Sequence, residues 1–325
     1  MRFKPLLLTL SRLNAALLAS VLSMSATQAA ERMTGLGELE AWLMPGMATG
    51  KLDWNIAASD GSPNVLSELI FDNLRTLTLE AGARFRFSNT ALRDLQFRVS
   101  GRAGLIQDGN EHDRDWDGSN RTDLISYSRA RVKSHRVDQA QVALGYTWFS
   151  AEPVSLTAYL GYEWNRQHLR ITNGRQILDV ARPSRNNTPI PGLHNRYNAD
   201  WHSGWLGLET MWDFMDGHQL GAAVQYHHLW YQAEATWNLR PSFAQPDSFD
   251  HTASHGQGVR LHAHYRTELT SSLSLALQLV WECFEIDNGI DRLHLVSPVV
   301  HTEKSRLNEV KWRQSGVSTG LIWRF

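Results

Sequence analysis

Leu273-Ser274-Leu275-Ala276-Leu277-Gln278-Leu279-Val280-Trp281-Glu282-Cys283 puts an apolar side chain at nearly every odd position. Successive side chains of a strand point to opposite faces, so period 2 held for this long is a strand signal. The same pattern runs through Val259-Arg260-Leu261-His262-Ala263-His264-Tyr265-Arg266 and through Leu77 to Phe87, where Leu77, Leu79, Ala81, Ala83, Phe85 and Phe87 alternate with Thr78, Glu80, Gly82, Arg84 and Arg86. Leu95, Phe97, Val99 and Ala103 alternate with Asp94, Gln96, Arg98, Ser100 and Arg102, and Val154 to Trp164 gives a further case. These runs exceed the usual strand of about five or six residues. They match the roughly 9 to 11 residues that cross a bilayer as a tilted strand.

Long alternating strands suit either a soluble sandwich, with the apolar face in a core, or a transmembrane barrel, with the apolar face in lipid and the polar face in the lumen. Three features favour the barrel: strand length, aromatic residues at strand ends, and the C-terminus. Trp148, Phe149, Trp212, Phe214, Trp230 and Trp237 lie where interfacial girdles belong. The chain closes Leu321-Ile322-Trp323-Arg324-Phe325, which resembles the assembly signal of Gram-negative outer-membrane barrels. Other classes drop out on composition. Beyond the N-terminus no apolar run approaches the length of a spanning helix. A net charge of −1 argues against a nucleic-acid partner, and the lone Cys283 excludes an intrachain disulfide, a zinc knuckle or a CxxC redox motif.

The N-terminus has Arg2 and Lys4, a mostly apolar Leu6–Leu22, then Thr27-Gln28-Ala29-Ala30. That is the order of a secretory signal peptide, expected to occupy residues 1–29, with the barrel in 30–325. Strands are expected near 34–55, 62–88 (irregular around Asp72-Asn73), 92–107, 127–149, 154–172, 197–214, 218–237, 257–270, 272–287 and 310–325. The expectation is an all-β fold, a ten-stranded antiparallel up-and-down transmembrane β-barrel in the cell outer membrane, a monomer contacting outer-membrane lipid. Short turns at 89–91, 150–153, 215–217 and 271 alternate with long polar connections at 108–126, 173–196, 238–256 and 288–309, as periplasmic turns and extracellular loops do. Lumen positions carry Arg84, Arg86, Arg98, Arg102, Glu163, Arg260, His262, His264, Arg266 and Glu282. In so narrow a barrel these are expected to pair into a plug, with the lumen histidines structural, which makes a small-solute channel the weakest reading.

Two polar connections hold the chemistry. Residues 108–123 contain Asp108, Glu111, Asp113, Asp115, Asp117 and Asp123; Asp113 and Asp115 share one face if the strand continues, so one of them holds a proton or a cationic partner more readily. The connection after the seventh strand, diagonally placed in a ring of ten, contains Asp247, Asp250, His251 and His255. A carboxylate pair facing an Asp–His pair is a geometry that can hold and deprotonate a water.

Gly109-Asn110-Glu111-His112-Asp113-Arg114-Asp115-Trp116 resembles the Gly-Asn…Asp-x-Asp-Trp segment of the omptin outer-membrane proteases, and Lys51-Leu52-Asp53-Trp54 and Ser67-Glu68-Leu69 resemble elements of their first two strands. The resemblance implies a ten-stranded barrel acting as an endopeptidase on peptide or protein substrates at the cell surface, without a bound cofactor or metal but with lipopolysaccharide as partner. It implies Asp113 and Asp115 as the water-positioning pair and His251 as general base, oriented by Asp250 or Asp247. Tyr162 and Arg166 fall where omptins place residues associated with lipopolysaccharide. Two departures stand out. Omptins have Asp-x-His where this chain has Asp250-His251, and adjacent side chains in extended backbone point to opposite faces unless a bulge intervenes. Trp164 stands where a glutamate belongs.

The same acidic stretch supports a non-catalytic reading, a surface barrel such as an adhesin that presents 108–123 to calcium or to a cationic partner. Asp113-x-Asp115-x-Asp117-Gly118 matches the start of a calcium loop, although Leu124 replaces the closing glutamate. Loss of cleavage in Asp113→Ala separates the enzyme from the binding protein.

Overall fold

A computed structural model describes residues 37–88, 91–133 and 135–325. The segment read as a signal peptide, and Asn89 in the first short turn, lie outside the described residues. Eleven antiparallel strands follow one another: β1 (Gly37–Ile56), β2 (Ser67–Phe87), β3 (Leu95–Gly118), β4 (Thr122–Val132), β5 (His135–Ala151), β6 (Val154–Asp179), β7 (Thr188–Met215), β8 (His218–Thr236), β9 (Phe249–Thr270), β10 (Leu273–Leu295) and β11 (His301–Arg324). β4 and β5 each pair with both β3 and β6, the first above the second, so they share one position and the ring has ten. β1 pairs with β11 from Glu40↔Arg324 to Ile56↔Leu307, which closes the barrel and leaves no edge.

The alternation sorts as lipid requires. Leu77, Leu79, Leu160, Leu206, Leu208 and Leu279 project outward and are half exposed, as are Trp148, Phe149, Trp212, Phe214 and Trp230. Trp237 departs from the expected girdle: it is buried and packs inward against Phe249, ring centroids 4.8 Å apart. The irregularity at Asp72-Asn73 is a register shift between Asp72 and Arg75, with Asn73 in the left-handed region at φ 50°.

Within the membrane the lumen is blocked by ion pairs. Arg260 reaches Glu163 and Glu282, with Nε to Glu282 Oε2 at 2.7 Å, and the Trp312 indole N–H donates to the same glutamate at 2.6 Å. Below, Arg84 and Arg266 share Glu40, Arg98 meets Glu209, and Arg102 meets Glu80. Buried ions persist when each finds a partner, and here every one does. Above the plug lies an apolar layer that includes Trp54, Phe71, Tyr197, Trp201, Tyr231, Phe249, Phe284 and Trp312.

The strands run further out than the sequence pattern indicates. β3 continues to Gly118, β6 to Asp179 and β10 to Leu295, while β7 starts at Thr188, β9 at Phe249 and β11 at His301. Three of the four long polar connections are therefore mostly strand, and the fourth, 238–256, is strand from Phe249. Above the lipid both faces are polar, so the period-2 signal fades while the backbone ladder persists.

Candidate functional site: an acidic row above the plug

Extending β3 fixes the acidic residues. Leu69 and Phe71, both fully buried, stand opposite Asp113 and Glu111, and Ser67 stands opposite Asp115. Directly opposed residues share a face, so Glu111, Asp113 and Asp115 form an inward row. With Asp117 they line a groove of about 920 Å³, whose far side comprises Arg182 and Arg185 from the β6–β7 connection and Trp237, Leu239 and Arg240 after β8.

The row is electrostatically unsettled. Burial pushes the Asp113 carboxyl up to about 8, the neighbouring Asp115 charge pushes the same way, and Arg240 opposes both. Asp115 is also raised by burial, against the hydroxyls of Ser67 and Ser126 and the charge of Arg240. Glu111 is only 3% exposed and lies well above the usual carboxylate range through burial and the charge of Asp113. Its Oε2 has no hydrogen-bond partner.

On the opposite wall the structure separates Asp250 from His251. β9 is extended there, with Asp250 across from Glu234 and Arg292 and His251 across from Ala233 and Asp291. Asp250 faces outward and is held by Arg292 Nη1 at 2.7 Å and His294 Nε2 at 2.8 Å. His251 faces inward and is fully buried, with Nδ1 3.0 Å from the Tyr197 hydroxyl and Nε2 3.1 Å from Asp291 Oδ1. Tyr197 in turn hydrogen-bonds Tyr231 at 2.6 Å, and Ser305 donates to the other oxygen of Asp291 at 2.9 Å. Trp54 and Phe249 pack on the imidazole, centroids 4.6 and 5.2 Å away. Sequence reasoning missed Asp291, Tyr197 and Arg240. Asp291 could have been found by pairing β9 with β10, since it falls in register with His251.

Asp113, Asp115 and Asp117 stand along a strand and do not wrap around a common point; among the described residues the ligand-spaced acidic trio is elsewhere, at Glu285, Asp287 and Glu309. Tyr162 and Arg166 project from the outer face of β6. The Tyr162 hydroxyl meets His202 Nδ1 at 2.7 Å, while Arg166 pairs with Asp200 at 2.5 Å and lies over Trp164.

A closed antiparallel ring with a lipid-facing apolar belt and a plugged lumen defines an outer-membrane β-barrel protein. The chain belongs to the Protochlamydia outer membrane protein family (Pom), whose model matches residues 43–325. Among solved structures it is similar to the outer membrane protease OmpT from Escherichia coli at 13% identity and a TM-score of 0.74, covering 89% of this chain and 97% of that one. That likeness shows an omptin-like barrel fold. The translocator domain of the autotransporter NalP from Neisseria meningitidis also matches, at 9% identity and a TM-score of 0.38 over 96% of this chain and 98% of that one. No curated protein is similar in sequence.

Proposed function

We propose that this protein is a non-catalytic surface barrel that binds a cationic segment of a partner in its extracellular groove, through Asp113 and Asp115 with Glu111 beneath. One observation supports this above the rest: three carboxylates stand in a row on one wall of the groove, and among the described residues none of them forms an ion pair. An incoming ammonium or guanidinium group supplies the missing charge and relieves the repulsion along the row. Hydrolysis is less well supported. A general base needs a nitrogen within reach of a water; Nδ1 of His251 is hydrogen-bonded to Tyr197, and Nε2, which faces Asp291 without a hydrogen bond, is buried under the rings of Trp54 and Phe249.

Omptin-type water activation is the second reading, favoured by one observation: a histidine with a carboxylate beside it does face inward from the wall opposite β3. That role requires the rings of Trp54 and Phe249 to part and admit water. Fluorescence anisotropy of a labelled lysine-rich peptide with the refolded barrel, in micelles containing lipopolysaccharide, tests the first reading. Binding should weaken about tenfold or more, some 1.4 kcal/mol, in the double variant Asp113→Asn with Asp115→Asn. Unchanged binding would overturn it.

A further inference from the structure

The groove carries acidic groups on one wall and basic groups on the other, and among the described residues they do not pair. Glu111, Asp113 and Asp115 line the β3 side, and Arg182, Arg185 and Arg240 line the other. Arg182 is occupied, its Nε 3.0 Å from Asp179 Oδ2. Among the described residues Arg185 and Arg240 form no ion pair, although Arg240 is close enough for its field to reach both Asp113 and Asp115. The backbone at Arg240 is fixed in a turn: its N–H donates to the Trp237 carbonyl at 3.1 Å, its own carbonyl accepts from Phe243 at 3.0 Å, and Pro241 follows. Between the walls lie Leu193, Trp237 and Leu239. On the acidic side the buried Oε2 of Glu111 has no partner and lines the same space, an independent sign that the row awaits a ligand group.

A purely cationic ligand leaves the two arginines uncompensated, and a purely anionic one faces the carboxylate row. A ligand with both signs a few bonds apart satisfies both walls. We infer that the groove takes a chain end: a peptide whose last residue is lysine or arginine, its basic side chain toward Asp113 and Asp115 and its terminal carboxylate toward Arg240 and Arg185. The aliphatic stem of that residue lies on Leu193 and Leu239, as such stems do on apolar surface. This rests on the proposed cation-binding role of the groove and adds to it the end and polarity of the ligand.

The test compares two labelled peptides of one sequence ending in lysine, one a free acid and one a C-terminal amide, against wild type, Arg240→Ala and Asp113→Asn. Free arginine serves as competitor. Arg240 is exposed, so its removal leaves the barrel intact, which heat-dependent gel mobility verifies. The expected result is a free acid bound about tenfold more tightly than the amide by wild type, a difference largely erased in Arg240→Ala, and only weak competition by free arginine. Equal binding of acid and amide by wild type, with both weakened in Asp113→Asn, would overturn the chain-end inference and leave the cation-binding role standing. Displacement by free arginine as effective as by the peptide would assign the site to a free amino acid and overturn the inference too. Binding of neither peptide would remove both.

Discussion

His251 takes its carboxylate neighbour from Asp291 on the adjacent strand, 3.1 Å from Nε2, and not from Asp250 beside it in sequence. Strand geometry requires this: Asp250 and His251 point to opposite faces, whereas Asp291 stands in register with His251 on the same face. The trio of Asp291, His251 and Tyr197 is a buried structural network. His251→Ala should therefore lower unfolding stability by about 2–4 kcal/mol, by opening a cavity and removing one partner each from the Tyr197 hydroxyl and Asp291. It should leave peptide affinity within about twofold. Urea titration beside anisotropy on the same preparation checks both, and a loss of binding without loss of stability would place His251 in the site.

Asp250, held on the outer face by Arg292 and His294, is half-buried and partly screened by solvent. Asp250→Ala should cost less than about 1 kcal/mol and change no binding property.

Stability should respond to Asp113 in a definite sense. Its folded value of about 8 stands above the ordinary 3.8, so the folded state holds the proton more tightly. The contribution is complete below 3.8 and is lost as pH rises through 8. Asn cannot ionise, so Asp113→Asn should match wild type near pH 3.5 and melt roughly 2–4 °C higher at pH 9. Thermal unfolding at the two pH values reads this directly, and a variant that melts lower at pH 9 would contradict it.

The same shift governs binding. Below pH 8 a cationic group must displace the Asp113 proton, so affinity should climb from pH 6 to about 8 and then level off, with proton release seen in calorimetry as a buffer-dependent heat. In Asp113→Asn the slope should be shallower. A pH-independent affinity in wild type would show that the ligand does not meet this carboxyl.

Much of this was legible in the sequence, and the limits are physical. Leu273–Cys283 and Val154–Trp164 announced lipid-facing strands because one face met hydrocarbon. A plug of paired charges followed from Arg84, Arg98, Arg102, Glu163, Arg260, Arg266 and Glu282 facing the lumen of a narrow barrel, but the partners did not: that Arg260 meets Glu163 and Glu282, and that Glu40 and Glu209 join the plug, depends on register across strands. Above the membrane the pattern failed. Residues 108–118 and 249–256 read as loops because both faces are polar, yet they are paired strand. Asp113 and Asp115 were recognisable from local spacing. Asp291 was not, because its meeting with His251 depends on register across a hairpin of more than 20 residues, and Arg240 was not, because a turn alone aims it.

The proposed groove binds a cationic segment without cutting it. The direct test incubates a labelled lysine-terminated peptide with refolded wild type, Asp113→Asn and His251→Ala, with lipopolysaccharide present, and follows anisotropy and peptide mass together. The expected result is an intact peptide throughout, bound by wild type and by His251→Ala and held more weakly by Asp113→Asn. Cleavage by wild type that disappears in both variants would contradict it and make His251 and Asp113 halves of an omptin-type active site.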